Sequence, residues 1–169
     1  MKVMTLEFEQ LLNDVAKDQQ QMNLTPHFSL QEMTHTGVKG MDNMPAEKEV
    51  IENLRRVCQW LEMLREEWNQ RYGEGNYDDP IIINSGYRSA AVNKAVGGSP
   101  ASNHLTGCAA DIRVCGIEQA LRYAVILLDI SDESQEPFDE LIIEHKNYGY
   151  WVHFAVRPKG NRRKTAMSI

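Results

Sequence analysis

Three side chains in this sequence have the types and spacing to hold a hydrolytic metal ion. His104 and Asp111 fall within the run Ser102-Asn103-His104-Leu105-Thr106-Gly107-Cys108-Ala109-Ala110-Asp111, and His153 follows some forty residues later in Trp151-Val152-His153. Zinc in hydrolytic sites takes three protein ligands from His, Asp or Glu and leaves a fourth position to water, whose pKa then falls to roughly 7. The expected cofactor is therefore one Zn2+ ion. Cys108 or Cys115 could serve beside His104, but no Cys-x-x-Cys pair supports that choice. With Cys58 they make an odd, sparse set that does not read as a disulfide framework, so reduced thiols are expected.

The elements around these residues must bring them together. Gly107 can take a left-handed turn after His104, and residues 109–114 can then run as a strand with Ile112 and Val114 on one face and Asp111 and Arg113 on the other. The last strand, residues 150–156, alternates so that Trp151, His153 and Ala155 face away from the apolar row Val152, Phe154 and Val156. If residues 146–149 form a four-residue hairpin loop, Glu144 pairs opposite Trp151 and shares the face of His153, whereas a loop one residue longer or shorter turns it away.

Upstream, Leu6, Leu11, Leu12 and Val15 suggest an amphipathic helix over residues 5–20. Ser29 and Glu32 have capping-box spacing for a short helix. The strongest helical pattern covers residues 45–72, where Val50, Leu54, Val57, Leu61, Leu64 and Trp68 recur every three or four positions, and Trp60 and Trp68 read as packing residues. A strand is expected over 80–84, a glycine-containing loop at Gly97-Gly98-Ser99-Pro100, a helix over 117–128, an acidic loop over 132–137 and a strand over 138–144. His27 is expected to be structural or exposed.

The 169 residues, 42% hydrophobic and 25% charged, suit one globular domain with a substantial core. The formal charge of -6 disfavours a general nucleic-acid binder, and the basic segment 157–164 reads as a solvated end or an anionic-surface contact. Acidic residues near the start and the lack of an apolar core there argue against a signal peptide, and no stretch approaches the roughly twenty apolar residues of a membrane span. Synthesis in the cytoplasm without stable membrane insertion is expected.

Taken together, Phe28-Ser29-Leu30-Gln31-Glu32-Met33, Ser85-Gly86-Tyr87-Arg88-Ser89, Asn93, Val96-Gly97-Gly98-Ser99, Ser102-x-His104-x-x-Gly107-x-Ala109-x-Asp111 and Trp151-Val152-His153 resemble the M15 family of zinc D-Ala-D-Ala carboxypeptidases. The pattern is most similar to the short branch found in phage lysins and bacterial cell-wall enzymes. The resemblance implies an α+β fold shared with the signalling domain of hedgehog proteins: an antiparallel sheet with helices on one side and a zinc groove on the other. It implies a domain over residues 25–157, preceded by an N-terminal helix over 1–24 and followed by a basic tail over 158–169.

Position by position, the resemblance makes His104, Asp111 and His153 the zinc ligands and implies that Arg88 binds substrate or polarises its carbonyl. Tyr87, Ser102, His145, Tyr150 and Trp151 are the expected substrate-binding residues, with Ser102 shaping the site. In the carboxypeptidase branch an acidic residue stands three positions before the last histidine, where this chain has Tyr150. The short branch uses a glutamate typically six positions before it, where this chain has Asn147. Glu144 is then the general base, displaced by a longer hairpin loop, with Asp139, His145 or no base as alternatives. The implied activity is a D,D-carboxypeptidase or L,D-endopeptidase acting on a D-amino-acid-containing bond of peptidoglycan stem peptides. A monomer is expected, reaching the wall as an endolysin through a holin-type partner or acting on recycled muropeptides inside the cell. A zinc-containing peptidoglycan-binding module without catalysis is the alternative.

Overall fold

A computed structural model describes residues 22–73, 78–147 and 149–168. The helix expected over 5–20 lies outside the described residues. Among the described residues, four α-helices, α1 (Leu30–Met33), α2 (Lys48–Tyr72), α3 (Ala90–Ala95) and α4 (Ile117–Ser134), accompany five strands, β1 (Ile83–Ser85), β2 (Ala109–Arg113), β3 (Glu140–Lys146), β4 (Gly149–Ala155) and β5 (Lys164–Ser168). The strands form one sheet in the order β1-β2-β4-β3-β5. No helix among the described residues is long and apolar enough to cross a membrane.

Strand alternation separates two faces. Ile112, Leu141, Ile143, Val152 and Phe154 join Leu54, Val57, Leu61, Leu64 and Trp68 of α2 and Tyr123, Ile126, Leu127 and Ile130 of α4 in one hydrophobic core. Trp60 packs on Phe154 with ring centroids 5.3 Å apart, which confirms the packing role read from its spacing. The opposite face carries Asp111, His153 and Ile142 in one row across β2, β4 and β3. Because side chains alternate with period two, burying the apolar set on the helices necessarily turns the metal-type residues outward.

The sheet differs from the antiparallel one expected. Three pairings are antiparallel, but β5 pairs parallel with β3, Glu140 opposite Lys164. The segment expected as a tail over 158–169 therefore supplies the edge strand Lys164–Ser168, and three of its cations are engaged: Arg162 with Asp139, Arg163 with Asp132, Lys164 with Glu140. The physical reason is Asp139, whose side chain is fully buried and needs positive partners, which Arg157 and Arg162 provide at 3.0 and 2.7 Å. The helix α4 also runs through Ser134, past the start of the expected acidic loop; Asp132 and Glu133 continue it on its exposed side.

Local geometry follows from the punctuation. Ser29 Oγ accepts from the Glu32 amide at 3.2 Å, the side-chain cap of the capping box expected at the start of α1. The end of α1 then holds the next segment: the Tyr87 amide donates to the Met33 carbonyl at 2.7 Å. Gly86 allows that approach, since a Cβ there would lie 2.3 Å from the Met33 oxygen.

Candidate metal centre

His104 lies in a 3₁₀ turn, Asn103–Thr106, which Ser102 caps by accepting the His104 amide at 3.3 Å. Gly107 ends the turn at φ 70°, the left-handed conformation expected from sequence, and sends the chain into β2. Asp111 on β2 pairs across the sheet with His153 on β4. One ligand atom from each of His104, Asp111 and His153 lies within 4.8 Å of the others, and all three residues are buried. Cys108 and Cys115 are not in this cluster, which answers the alternative ligand set.

The donor set fits a metal ion. His104 Nδ1 lies 2.5 Å from the Gly86 carbonyl oxygen, and the N–H it donates there orients the ring so that Nε2 faces the cluster, 3.2 Å from Asp111 Oδ1. His153 Nδ1 lies 2.9 Å from the same Asp111 oxygen. Burial alone would raise the Asp111 pKa, but the two histidines hold it well below the usual carboxylate range. Burial would likewise lower that of His153, yet Asp111 and Glu140 push it up to about 9. A cation is thus already favoured at this point in the fold, and an ion bound to Nδ1 displaces a proton.

The cluster opens into a groove of about 530 Å³, lined among others by Arg88, Ser102, Glu144, His145, Trp151 and the Gly97–Ser99 loop. Glu144 pairs opposite Trp151, the register on which its expected position depended, because Lys146 and Gly149 still pair at the end of the hairpin. Its carboxyl has no hydrogen-bond partner among the described residues, and burial and the neighbouring Asp111 raise its pKa.

Other expected residues are placed differently. Arg88, expected to serve substrate, is largely committed to the protein: Nη2 pairs with Asp111 Oδ2 and Nε donates to Ser85 Oγ at 2.8 Å. That contact holds the outer carboxylate oxygen and leaves Oδ1 toward the histidines. Tyr87 does not line the groove but sits in the hydrophobic core, its backbone fixed on Met33 and Asn43. Tyr150 is also outside the lining and stacks on His145, ring centroids 4.4 Å apart. Asp139, an alternative base, is enclosed with Arg157, Arg162 and Asn103. His27 is bound to Glu62 at 2.7 Å, far from the groove.

Sequence reasoning missed Glu140, Asn103 and Lys146. Lys146 lines the groove on the same strand face as Glu144, a placement that period-two counting from Glu144 could have found. Glu140 stands 3.6 Å from His153 Nε2. The nearby His153 is the main influence on its pKa and, against the opposing effect of burial, holds it well below the usual range, with Lys164 adding to it.

A search of curated proteins gives no match for the chain. A family model described as Peptidase M15 matches residues 26–153, a span that includes the capping box, the Gly86 carbonyl, Glu144 and every member of the His–Asp–His cluster. That match covers most of the sequence and ends on the last candidate ligand, so the chain belongs to the peptidase M15 family, whose members are zinc-dependent metallopeptidases.

Proposed function

We propose that this protein hydrolyses a peptide bond in bacterial peptidoglycan stem peptides, at a bond that involves a D-amino acid. The observation that carries this reading is Glu144, a carboxyl of raised pKa without a hydrogen-bond partner among the described residues, in the groove also lined by His104, Asp111 and His153. His104, Asp111 and His153 would hold the zinc, which when bound would supply Lewis-acid polarisation of a water and of the substrate carbonyl.

The chain's own groups divide the remaining work. Glu144 takes the proton of the attacking water and returns it to the leaving amine, a role that suits a carboxyl whose pKa has moved toward neutrality. Arg88 fixes Asp111 through Nη2 and also lines the groove, where its Nη1, without a partner among the described residues, is the donor left for a substrate oxygen. Lys146 adds a second cation at the groove. Two cationic groups suit a substrate that carries a free carboxylate, as stem peptides do. Trp151 offers an apolar wall and His145 a further hydrogen-bonding group. A monomer is the proposed working unit.

The test is mass spectrometry of purified peptidoglycan incubated with the protein, with and without a chelator. Chelator-sensitive release of defined fragments supports the peptidase and identifies the bond. Stoichiometric zinc with muropeptide binding but no release across several wall chemotypes replaces it with the binding-module reading.

A further inference from the structure

We infer that Glu140, clamped by Arg162 and Lys164, is a positioning residue for His153, and that the C-terminal strand β5 is thereby a working part of the metal centre. The inference rests on the metal reading of the His–Asp–His cluster, not on which bond is cut.

His153 presents Nδ1 to the cluster, and its other ring nitrogen, Nε2, stands 3.6 Å from Glu140 Oε2. An imidazole whose second N–H meets a carboxylate is fixed in tautomer and ring orientation and becomes a more basic ligand. Glu140 would turn freely toward solvent unless its own oxygens were held. They are: Oε1 receives Lys164 Nζ at 3.0 Å and Arg162 Nη2 at 3.1 Å, and Oε2 receives Asn103 Nδ2 at 3.0 Å. The parallel pairing of β5 with β3 places Lys164 directly opposite Glu140.

Asn103 extends the arrangement to the other histidine. It precedes His104 in the 3₁₀ turn, donates also to Asp139 Oδ2 at 2.8 Å, and accepts from Arg157 Nε at 2.8 Å. One polar network therefore spans the segments that carry both histidines. Arg157, Arg162 and Lys164 all lie beyond residues 26–153, the span of the family match, so this clamp is added by sequence outside it. Stability alone is a poor explanation for the outer pairs, since the Arg162 and Lys164 side chains are 49% and 51% exposed and such pairs contribute little.

The full-length protein and two variants, Glu140→Gln and Lys164→Met, decide the matter through three readouts: zinc affinity by chelator competition, the visible spectrum of the cobalt(II) form, and the thermal midpoint of the metal-free form. Glu140→Gln is expected to weaken zinc binding about 10- to 100-fold and to shift the cobalt bands, with the metal-free midpoint little changed. Lys164→Met should move affinity the same way by less. Unchanged affinity and spectrum in Glu140→Gln overturns the inference. If that variant does not fold, Lys164→Met decides, and wild-type affinity in it overturns the role of β5. A wild-type protein that takes up no zinc overturns both this inference and the metal reading, whereas a zinc-binding protein that cuts no peptidoglycan leaves this test intact.

Discussion

Glu140 and Glu144 occupy the same face of the same strand, two residues either side of Ile142, which pairs with His153. At one end the carboxylate is enclosed by His153, Lys164, Arg162 and Asn103 and held well below its ordinary pKa. At the other it meets no hydrogen-bond partner among the described residues, and burial with the nearby Asp111 raises it. Identical side chains at equivalent register positions thus become a fixed anion and a carboxyl of raised pKa, the proposed proton acceptor. What separates them is not the strand but the neighbour on its outer edge: β5 supplies Lys164 opposite Glu140, while its register opposite Glu144 holds Ser168.

The sharpest way to break this comparison is Glu144→Gln. The proton acceptor is lost while the ligands remain, so turnover is expected to fall by about 10²- to 10⁴-fold with zinc stoichiometry unchanged, read by fragment release and metal analysis side by side. Full activity in the variant would remove Glu144 from the reaction.

The enclosed end makes a pH prediction through Asp139, next to Glu140. Burial would raise its pKa, but Arg162, Asn103 and Arg157 lower it below the ordinary value. A carboxylate depressed in the folded state stabilises fully above its unfolded pKa of about 3.9 and loses that contribution as pH falls through the folded value. Denaturant unfolding should therefore show a loss of stability as pH drops below about 4. Asp139→Asn should cost about 1–3 kcal/mol at pH 7 and flatten that acid limb. An unchanged acid limb in the variant would place the titrating group elsewhere.

The groove wall gives a smaller effect. Trp151→Ala removes apolar contact surface and should raise KM for a muropeptide roughly tenfold, about 1.4 kcal/mol, with kcat much less affected. Smallest of all is Tyr87→Phe. Its hydroxyl has no hydrogen-bond partner among the described residues and its ring packs in the core, so stability should stay within about 0.5 kcal/mol and KM should not move. A KM change there would return Tyr87 to the groove.

These contrasts show which parts of the molecule a single sequence discloses. The His104, Asp111 and His153 set was legible because strand alternation and the Gly107 turn are local rules, and the same holds for Glu144 once its hairpin register is fixed. The long helix was legible from its apolar spacing, though it begins at Lys48, later than the expected residue 45. Tyr87 was misplaced because neighbouring residues in an extended segment point to opposite sides, so it could not join Arg88 in the groove. Arg88 was assigned to substrate through the family resemblance, and nothing in the local sequence shows the nearby Asp111 oxygen that engages it. The role of 158–169 was hidden for a longer-range reason: nothing in a run of basic residues announces the buried Asp139 and the Glu140 that it meets across the sheet.

The pairing of Asp111 with His153 has a consequence for the order in which the molecule comes together. Glu140, Glu144 and His153 share one hairpin, a structure that closes in about 1–10 μs in isolation. Gly86, Arg88, His104 and Asp111 belong to a second segment, and the two meet through β2 and β4, whose paired ligands are 42 residues apart in the chain. Such non-local docking is the slow kind of contact to form. The three donors converge only when it is complete, so zinc uptake by the refolding chain is a clock for that docking event and not for the collapse or hairpin closure that precedes it.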